Sequence, residues 1–445
     1  MIDQIAASTG AESVVNGQEL DRTVPIPRNG SFWKKAFAFS GPAFLVSVGY
    51  MDPGNWATDI EGGSRFGYKL LWVILASNLI AVLLQTLSVR LGVVTGQDLA
   101  QACRLHFKRP VAIVLWILAE VAIGACDLAE ILGSAVALNL LFHIPLLPAV
   151  FITAFDVLLL LALQGKGLRK VEALIITLVL TVGGCYLVEI ILAKPDWGGV
   201  AGGLVRPTLD RESLFIALAI LGATVMPHNL YLHSALVKSR AVDRTPGGLR
   251  TALKYNFLET FIALNGAFFV NAAILIMAAA VFHDRGLVVT ELTQAHATLG
   301  RLFSSGAAAL LFGIALLASG QSSTITGTMA GQVVMEGFIQ LKLAPWKRRL
   351  LTRLLAIIPA IIVIMLNSSG GEAHQNQAVY RLLILSQAVL SVQLSFATIP
   401  LVMFTGDKSK MGEFVNPLWL KIIAWLIIIA IALLNLILIW NSFHS

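Results

Sequence analysis

The sequence predicts an all-α, multi-pass membrane protein made of two five-helix repeats of opposite orientation, with an eleventh helix appended. Three observations predict it. The chain of 445 residues is 57% hydrophobic and only 13% charged, with a mean hydropathy of +0.80. Apolar runs of about twenty residues recur about eleven times, and each is long enough to cross roughly 30 Å of hydrocarbon. Two of these runs, five apart, are interrupted by a proline, at Asp52-Pro53-Gly54 and at Met226-Pro227.

In chain order, residues 1–33 are polar and read as a flexible cytoplasmic extension, with no charged segment leading into a short apolar core that would mark a cleavable leader. The spans are centred in 36–67, 70–94, 111–141, 146–164, 171–193, 213–238, 252–282, 300–337, 350–366, 379–404 and 417–441. Residues 34–445 then form a single transmembrane domain, with one repeat over about 34–193 and the other over about 213–404. An odd number of spans per repeat inverts the second repeat in the membrane. The last span, about 417–441, carries no charge within its Leu- and Ile-rich core and reads as a peripheral addition. Cys103, Cys126 and Cys185 share no metal-clipping spacing, so they read as packing residues.

The net charge of +7 is distributed by loop. Lys34 and Lys35, then Arg104, Lys108 and Arg109, then Lys166, Arg169 and Lys170, occupy alternate connections. The pattern continues through Lys238, Arg240, Arg244 and Arg250, then Lys342, Lys347, Arg348 and Arg349, and finally Lys408 and Lys410. The intervening loops are poor in Lys and Arg, which places the N-terminus in the cytoplasm and the C-terminus outside. These short interfacial clusters give nucleic acid no role.

Pro53 removes a backbone donor and disfavours helix at Asp52, while Gly54 loosens the chain, so the helical ladder should open around residues 51–55. Opened backbone at membrane depth has to be buried in protein or line a cavity. Paired breaks at corresponding positions of two repeats mark a midplane binding site. The groups available there are the Asp52 carboxylate, the Asn55 amide oxygen, carbonyls freed near Gly49 and Ala223, and the Met226 thioether. That set suits a cation. Na⁺, Ca²⁺ or Mn²⁺ all match one carboxylate with neutral oxygens, whereas sulfur beside oxygen favours softer transition metals. An isolated buried Met is usually packing. A helix break opposite an acid favours the ligand reading instead.

Titratable groups follow a second line. Glu120, Asp127 and Glu130 in the third span lie within roughly 80° of one another at about 100° per residue, so they form one acidic face. That face reads either as a wet proton path or as an ion-pair network with Arg353 of the ninth span. His228, two residues past Met226, is suited to relay protons, and His233 reads as a hydrogen-bonded packing residue. Asp156 and Glu189 are further acids within spans, with Glu189 expected to be partly exposed at a helix end or locally hydrogen-bonded. The Gly-, Ser- and Thr-rich stretch Gly320–Gln332 lacks a phosphate-loop lysine and reads as close helix packing.

Three segments carry a family resemblance: "DPGNWATDIEGGSRFGY", "MPHNLYLHS" and "GQSSTITGTMAGQVVMEGF". They resemble the signature segments of the natural resistance-associated macrophage protein (Nramp) family of proton-coupled divalent metal transporters. The resemblance extends from about Phe32 to the last helix. It implies a LeuT-like fold and import of Mn²⁺ and Fe²⁺, with Cd²⁺ also accepted, coupled to protons in a cell membrane. Metal would be held by Asp52, Asn55, Met226 and the Ala223 carbonyl, with Gln387 of the tenth span joining in some states. The third-span acids, Arg353 and the two histidines would carry protons together with Asp52. Ser395 stands where the family has proline, and Met226 argues against a magnesium-transporting branch. No prosthetic cofactor and no enzymatic activity are expected. A sodium-coupled organic-solute carrier would have its substrate carboxylate repelled by Asp52, and an intramembrane metalloenzyme would need a general base arrangement that the sequence lacks.

Overall fold

The computed structural model describes residues 14–15, 18–19, 24–27, 31–164, 168–302, 306–341 and 344–444, with the side chains of 156–172 among those left aside. Most of the N-terminal extension, Lys166 and Lys342 therefore lie outside the described residues, as do the side chains of Asp156, Arg169 and Lys170. Among the described residues nine continuous helical stretches are long and apolar enough to cross a membrane, and the helices follow the eleven spans expected. The first is broken into Pro42–Gly49 and Pro53–Phe66, and spans two to five are Leu71–Thr95, Arg109–Phe142, Leu146–Gln164 and Leu168–Ala193. The sixth is broken into Arg211–Val225 and Pro227–Leu236, and the rest are Pro246–Val281, Gly306–Ile339, Pro345–Leu366, Gly371–Gly406 and Leu418–His444.

The sequence places the first span over 36–67 as one stretch, and the structure divides it further. A separate helix, Phe32–Phe39, ends at a joint where Gly41 takes φ 138°, a conformation open to glycine and costly for other residues. Pro42 and Pro53 each sit in the first turn of the helix they begin, where the missing N–H costs nothing. Three short helices were not expected: Leu99–His106, Trp197–Val205 and Leu292–Leu302. The first carried a readable start signal, because Asp98 and Gln101 form a capping box.

The packing of the spans has the symmetry of an inverted repeat. Spans 2 and 7, 3 and 8, and 4 and 9 pack together, and each pair maps onto itself when five is added to a span number within the ten. Span 3 against span 10 maps to span 8 against span 5, and Pro42–Gly49 against span 5 maps to Arg211–Val225 against span 10. Both broken halves obey the same exchange in their contacts with spans 7 and 2. The eleventh span packs mainly on the tenth, where Asn435 Nδ2 donates to the Ser391 carbonyl at 2.9 Å and Ser391 Oγ donates back to Asn435 Oδ1 at 3.0 Å. Its outer face exposes Leu418, Trp419, Ile422 and Leu426, as a helix facing lipid tails should.

Candidate metal-binding site and the adjoining ion-pair network

The two breaks meet because small residues let them. A Cβ built on Gly49 would lie 2.4 Å from Asn229 Nδ2 and 3.0 Å from Met226 Sδ, so only glycine allows this approach of the first break to the second. Span 10 closes the third side by the same means. A Cβ on Gly54 would fall 1.8 Å from Gln387 Nε2, and one on Gly222 would fall 2.2 Å from the Gln387 carbonyl oxygen. Gly49, Asp52, Asn55, Ala223, Met226 and Gln387 are therefore gathered at one place and fully buried.

Asp52 is extended, with ψ 166°, and caps the helix that begins at Pro53. Its Oδ1 accepts from the Asn55 backbone N–H at 2.8 Å and from Asn55 Nδ2 at 2.8 Å. The same Nδ2 also points to the Ala223 carbonyl at 3.0 Å and the Gly49 carbonyl at 3.4 Å. Three oxygens from both breaks thus converge on one nitrogen. Turning the Asn55 amide about its terminal bond exchanges Nδ2 for Oδ1 and makes the cage wholly oxygen-lined, which is an environment for a cation. Two further oxygens stand ready nearby, since Asp52 Oδ2 and Gln387 Oε1 are buried without a hydrogen-bond partner among the described residues.

Sulfur completes the set. Met226 joins the two halves of span 6 at φ 37°, ψ 98°, a backbone conformation that costs any residue with a Cβ. Asn229 Nδ2 donates to its thioether at 3.6 Å. Among the described residues no three His, Cys, Asp or Glu side chains gather to hold a metal, so the site rests on one carboxylate, amide and main-chain oxygens, and a thioether.

Sequence reasoning missed part of the surround. Asn271 of span 7 donates through Nδ2 to the Tyr50 carbonyl at 2.7 Å and to Asn55 Oδ1 at 3.3 Å, fixing the unwound segment. Tyr50 receives the Gln85 amide at 2.8 Å and donates to the Val225 carbonyl at 3.4 Å. His233 Nδ1 lies 2.9 Å from Gln85 Oε1, the hydrogen-bonded position expected of it. A polar chain therefore runs from span 6 through span 2 to both breaks. His228 is buried with Nδ1 unpartnered among the described residues, and the charges acting on it are Asp127 and Arg349.

The acidic face of span 3 meets three arginines, which corrects the sequence reading in which Arg353 alone served as partner. Arg349 pairs with Asp127, and its Nη2 lies 2.9 Å from Glu130 Oε2. Arg353 lies 3.3 Å from the same Glu130 oxygen and donates to Thr324 Oγ1 at 2.5 Å and to the Thr153 carbonyl at 3.0 Å. Arg348 holds Glu120 at 3.0 Å. Arg348 and Arg349, read from the sequence as loop charges, are instead buried in span 9, and Lys238 and Arg240 are likewise buried. The missed signal is the four-residue spacing of Arg349 and Arg353, which puts both on one helix face toward the acids. The glycine-rich stretch of span 8 makes the room. A Cβ on Gly327 would lie 2.9 Å from Glu130 Oε1, and one on Gly331 would lie 1.8 Å from Arg348 Nη1.

Glu189 departs from expectation in the opposite direction. It is fully buried with both carboxyl oxygens unpartnered among the described residues, because it lies on the inward face of span 5, the face whose Tyr186 packs edge-on against Trp56 at 4.9 Å.

Two pseudo-equivalent broken helices that meet around a buried polar cage define an inverted-repeat membrane transporter. A family profile described as natural resistance-associated macrophage protein-like matches residues 43–441. The chain belongs to the Nramp family. It is 56% identical over 428 residues to the divalent metal cation transporter MntH of Nostoc sp., covering 95% of each chain. It is 52% identical over 439 residues to the protein of the same name from Listeria monocytogenes, covering 98% of this chain and 96% of that one. Among solved structures it is similar to the Eremococcus coleocola manganese transporter, with TM-score 0.87, 43% identity, and coverage of 94% and 89%. It shares the fold alone with Mhp1, a nucleobase-cation-symport-1 family transporter, at TM-score 0.57 and 14% identity.

Proposed function

We propose that this chain imports divalent transition-metal ions, Mn²⁺ and Fe²⁺ with Cd²⁺ among those accepted, by alternating access coupled to protons. It is a multi-pass membrane transporter and not an enzyme. The observation that carries the substrate is that Asp52 Oδ1 and the Gly49 and Ala223 carbonyls gather around the Asn55 side-chain amide, 2.8–3.4 Å from its Nδ2. One carboxylate among neutral oxygens is a donor set for a metal ion rather than for an organic solute. The Met226 thioether beside it favours a transition metal over Mg²⁺ or Ca²⁺.

Asp52, Asn55, Met226, Gln387 and the carbonyls of Gly49 and Ala223 are the proposed ligands. Asp127, Glu130, Glu120, His228, His233 and Asp52 are the proposed titrating groups of the proton pathway, with Arg353, and Arg349 added from the network, as its permanently charged members. The exposed Lys108, Arg109, Arg250, Lys408 and Lys410 keep positive charge on alternate connections. They support a cytoplasmic N-terminus and an outer C-terminus. The bilayer and protons are then working partners.

The test is uptake of Mn²⁺, Cd²⁺, Ca²⁺ and Mg²⁺ into sealed vesicles with an internal pH dye. An inside-negative potential contributes about 2.3 kcal/mol per charge per 100 mV, so Mn²⁺ entry should accelerate with potential and acidify the lumen. Asp52→Asn should abolish it, since a divalent charge would then lie uncompensated in a buried cage. Uptake in Asp52→Asn equal to the parent's would move the site elsewhere.

A further inference from the structure

The inner half of the first span, Pro42–Gly49, is a lever with a non-helical joint at each end. At one end lies the unwound segment Tyr50–Asp52, which carries the Asp52 carboxylate of the cage and follows directly on the Gly49 carbonyl. At the other lies Ser40–Gly41, with Gly41 at φ 138°. This second joint is gripped from both sides. Glu259 of span 7 accepts through Oε1 from the Gly41 N–H at 2.6 Å and the Ala43 N–H at 3.0 Å. Arg240, just past span 6, donates through Nη2 to the Ser40 carbonyl at 2.5 Å. Both side chains are buried and hold adjacent backbone groups, the Gly41 N–H and the Ser40 carbonyl, so the two form one clasp.

The chemistry of the grip is specific. The helix beginning at Pro42 has no side chain of its own capping its N-terminus, and Glu259 supplies the missing acceptor as a carboxylate at the positive end of the helix dipole. A strap reinforces the other jaw: Val24–Pro25 runs parallel to Arg240–Ala241, in register Val24 to Arg240. The residues that make the cage play no part in the clasp, and the clasp touches the lever at its far end.

We propose that Arg240 and Glu259 clasp the Ser40–Gly41 joint and hold the lever closed, so that release of the clasp governs opening of the cage toward the cytoplasm. The proposal rests on the alternating-access reading above and on a cytoplasmic N-terminus. Glu259 and Arg240 are positioning residues: they act on the ion only through the lever that carries the Gly49 carbonyl. Breaking the clasp should shift the resting population toward the inward-open form without removing a single ligand.

The experiment reads that population directly. Ser47, buried on the lever, is replaced by cysteine in a full-length chain whose three native cysteines are changed to alanine, and its reaction rate with N-ethylmaleimide is measured in vesicles. Thr58→Cys, buried on the outer half of the same span, is the control position. Glu259→Ala and Arg240→Ala should each raise the Ser47→Cys rate at least fivefold and leave the Thr58→Cys rate within twofold. Glu259→Gln keeps an acceptor oxygen without the charge, so it should fall between; it also serves if the alanine variants fail to purify as a single monodisperse species. Adding Asp52→Asn removes metal binding and should preserve the labelling gain, which separates failure of the clasp from failure of the metal reading. An unchanged rate at Ser47→Cys, or an equal rise at both positions, overturns the proposal.

Discussion

Met226 combines two features that pull in opposite directions, and separating them tests the site. Its backbone at φ 37° costs a residue with a Cβ about 1–2 kcal/mol, a strain that glycine does not feel. Its side chain has no exposed surface, and truncating a buried Met to Ala costs about 2–5 kcal/mol. Met226→Ala therefore loses the side chain and keeps the strain, while Met226→Gly loses the side chain and relieves it. Against that relief stands the greater freedom of glycine in the unfolded chain, about 0.4–1 kcal/mol. The glycine variant should come out level with the alanine variant or up to about 1.6 kcal/mol more stable, by thermal unfolding in detergent. Transport should split differently. Both variants lack sulfur, so both should lose at least tenfold in Mn²⁺ and Cd²⁺ affinity, or about 1.4 kcal/mol, while a water replaces the thioether for Ca²⁺. Competition of excess Ca²⁺ against Mn²⁺ or Cd²⁺ uptake, at matched protein amount, reads the ratio. A ratio unchanged in both variants would make Met226 a packing residue. An alanine variant more stable than glycine by over about 1 kcal/mol would refute the claim of strain.

Three other outcomes follow from the surround. Glu130→Gln should leave Mn²⁺ binding measurable by calorimetry and flatten the dependence of uptake on external pH; loss of binding would place Glu130 at the metal instead. Arg349→Met strands Asp127 and leaves Glu130 with Arg353 alone, both acids being fully buried, and should cost about 3–5 kcal/mol in unfolding measurements unless Asp127 takes up a proton, whereas Arg348→Met, whose partner Glu120 is 23% exposed, should cost less. Gly133→Ala would set a Cβ 2.1 Å from Pro53 Cβ, so span 3 must move off the break; a stability loss of about 1–3 kcal/mol should accompany a Mn²⁺ uptake rate well below the parent's, and an unaffected rate would show that the seat of Pro53 does not position Asp52.

The parts of this protein that were legible in the sequence are those where a residue type violates its surroundings. A carboxylate and a proline inside an apolar run must be explained locally, and the recurrence of the proline break five spans later pointed to both the repeat and the candidate cage. The third-span acids were legible for the same reason. Of their partners only Arg353 was legible; Arg348 and Arg349 were not, because they follow Lys347 at the start of a span, where a run of positive charge looks like an interfacial cluster. Only the packing of Gly327 and Gly331 against those side chains shows that the helix begins inside the protein. Asn271 and Gln85 were silent for a different reason: a neutral amide in a span is common, and its importance lies in which carbonyl it reaches across the fold.

Charge neutrality supports Asp52, and not the more acidic face of span 3, as the proposed seat of the cation. Asp127 and Glu130 meet Arg349 and Arg353, and Glu120 meets Arg348, so span 3 presents acid and base in equal number. A divalent ion entering that network would have to displace guanidinium groups already satisfied by two carboxylates and by Thr324 and Thr153. Asp52 has no cationic side chain bonded to it among the described residues; its partners are one amide and one backbone N–H. A buried carboxylate without a countercharge is costly in a low-dielectric interior, and that cost is removed when a cation or a proton arrives. On the proposed reading, metal and proton would compete for the same unpaired charge at Asp52, and the paired acids of span 3 would be the groups to take up the displaced proton.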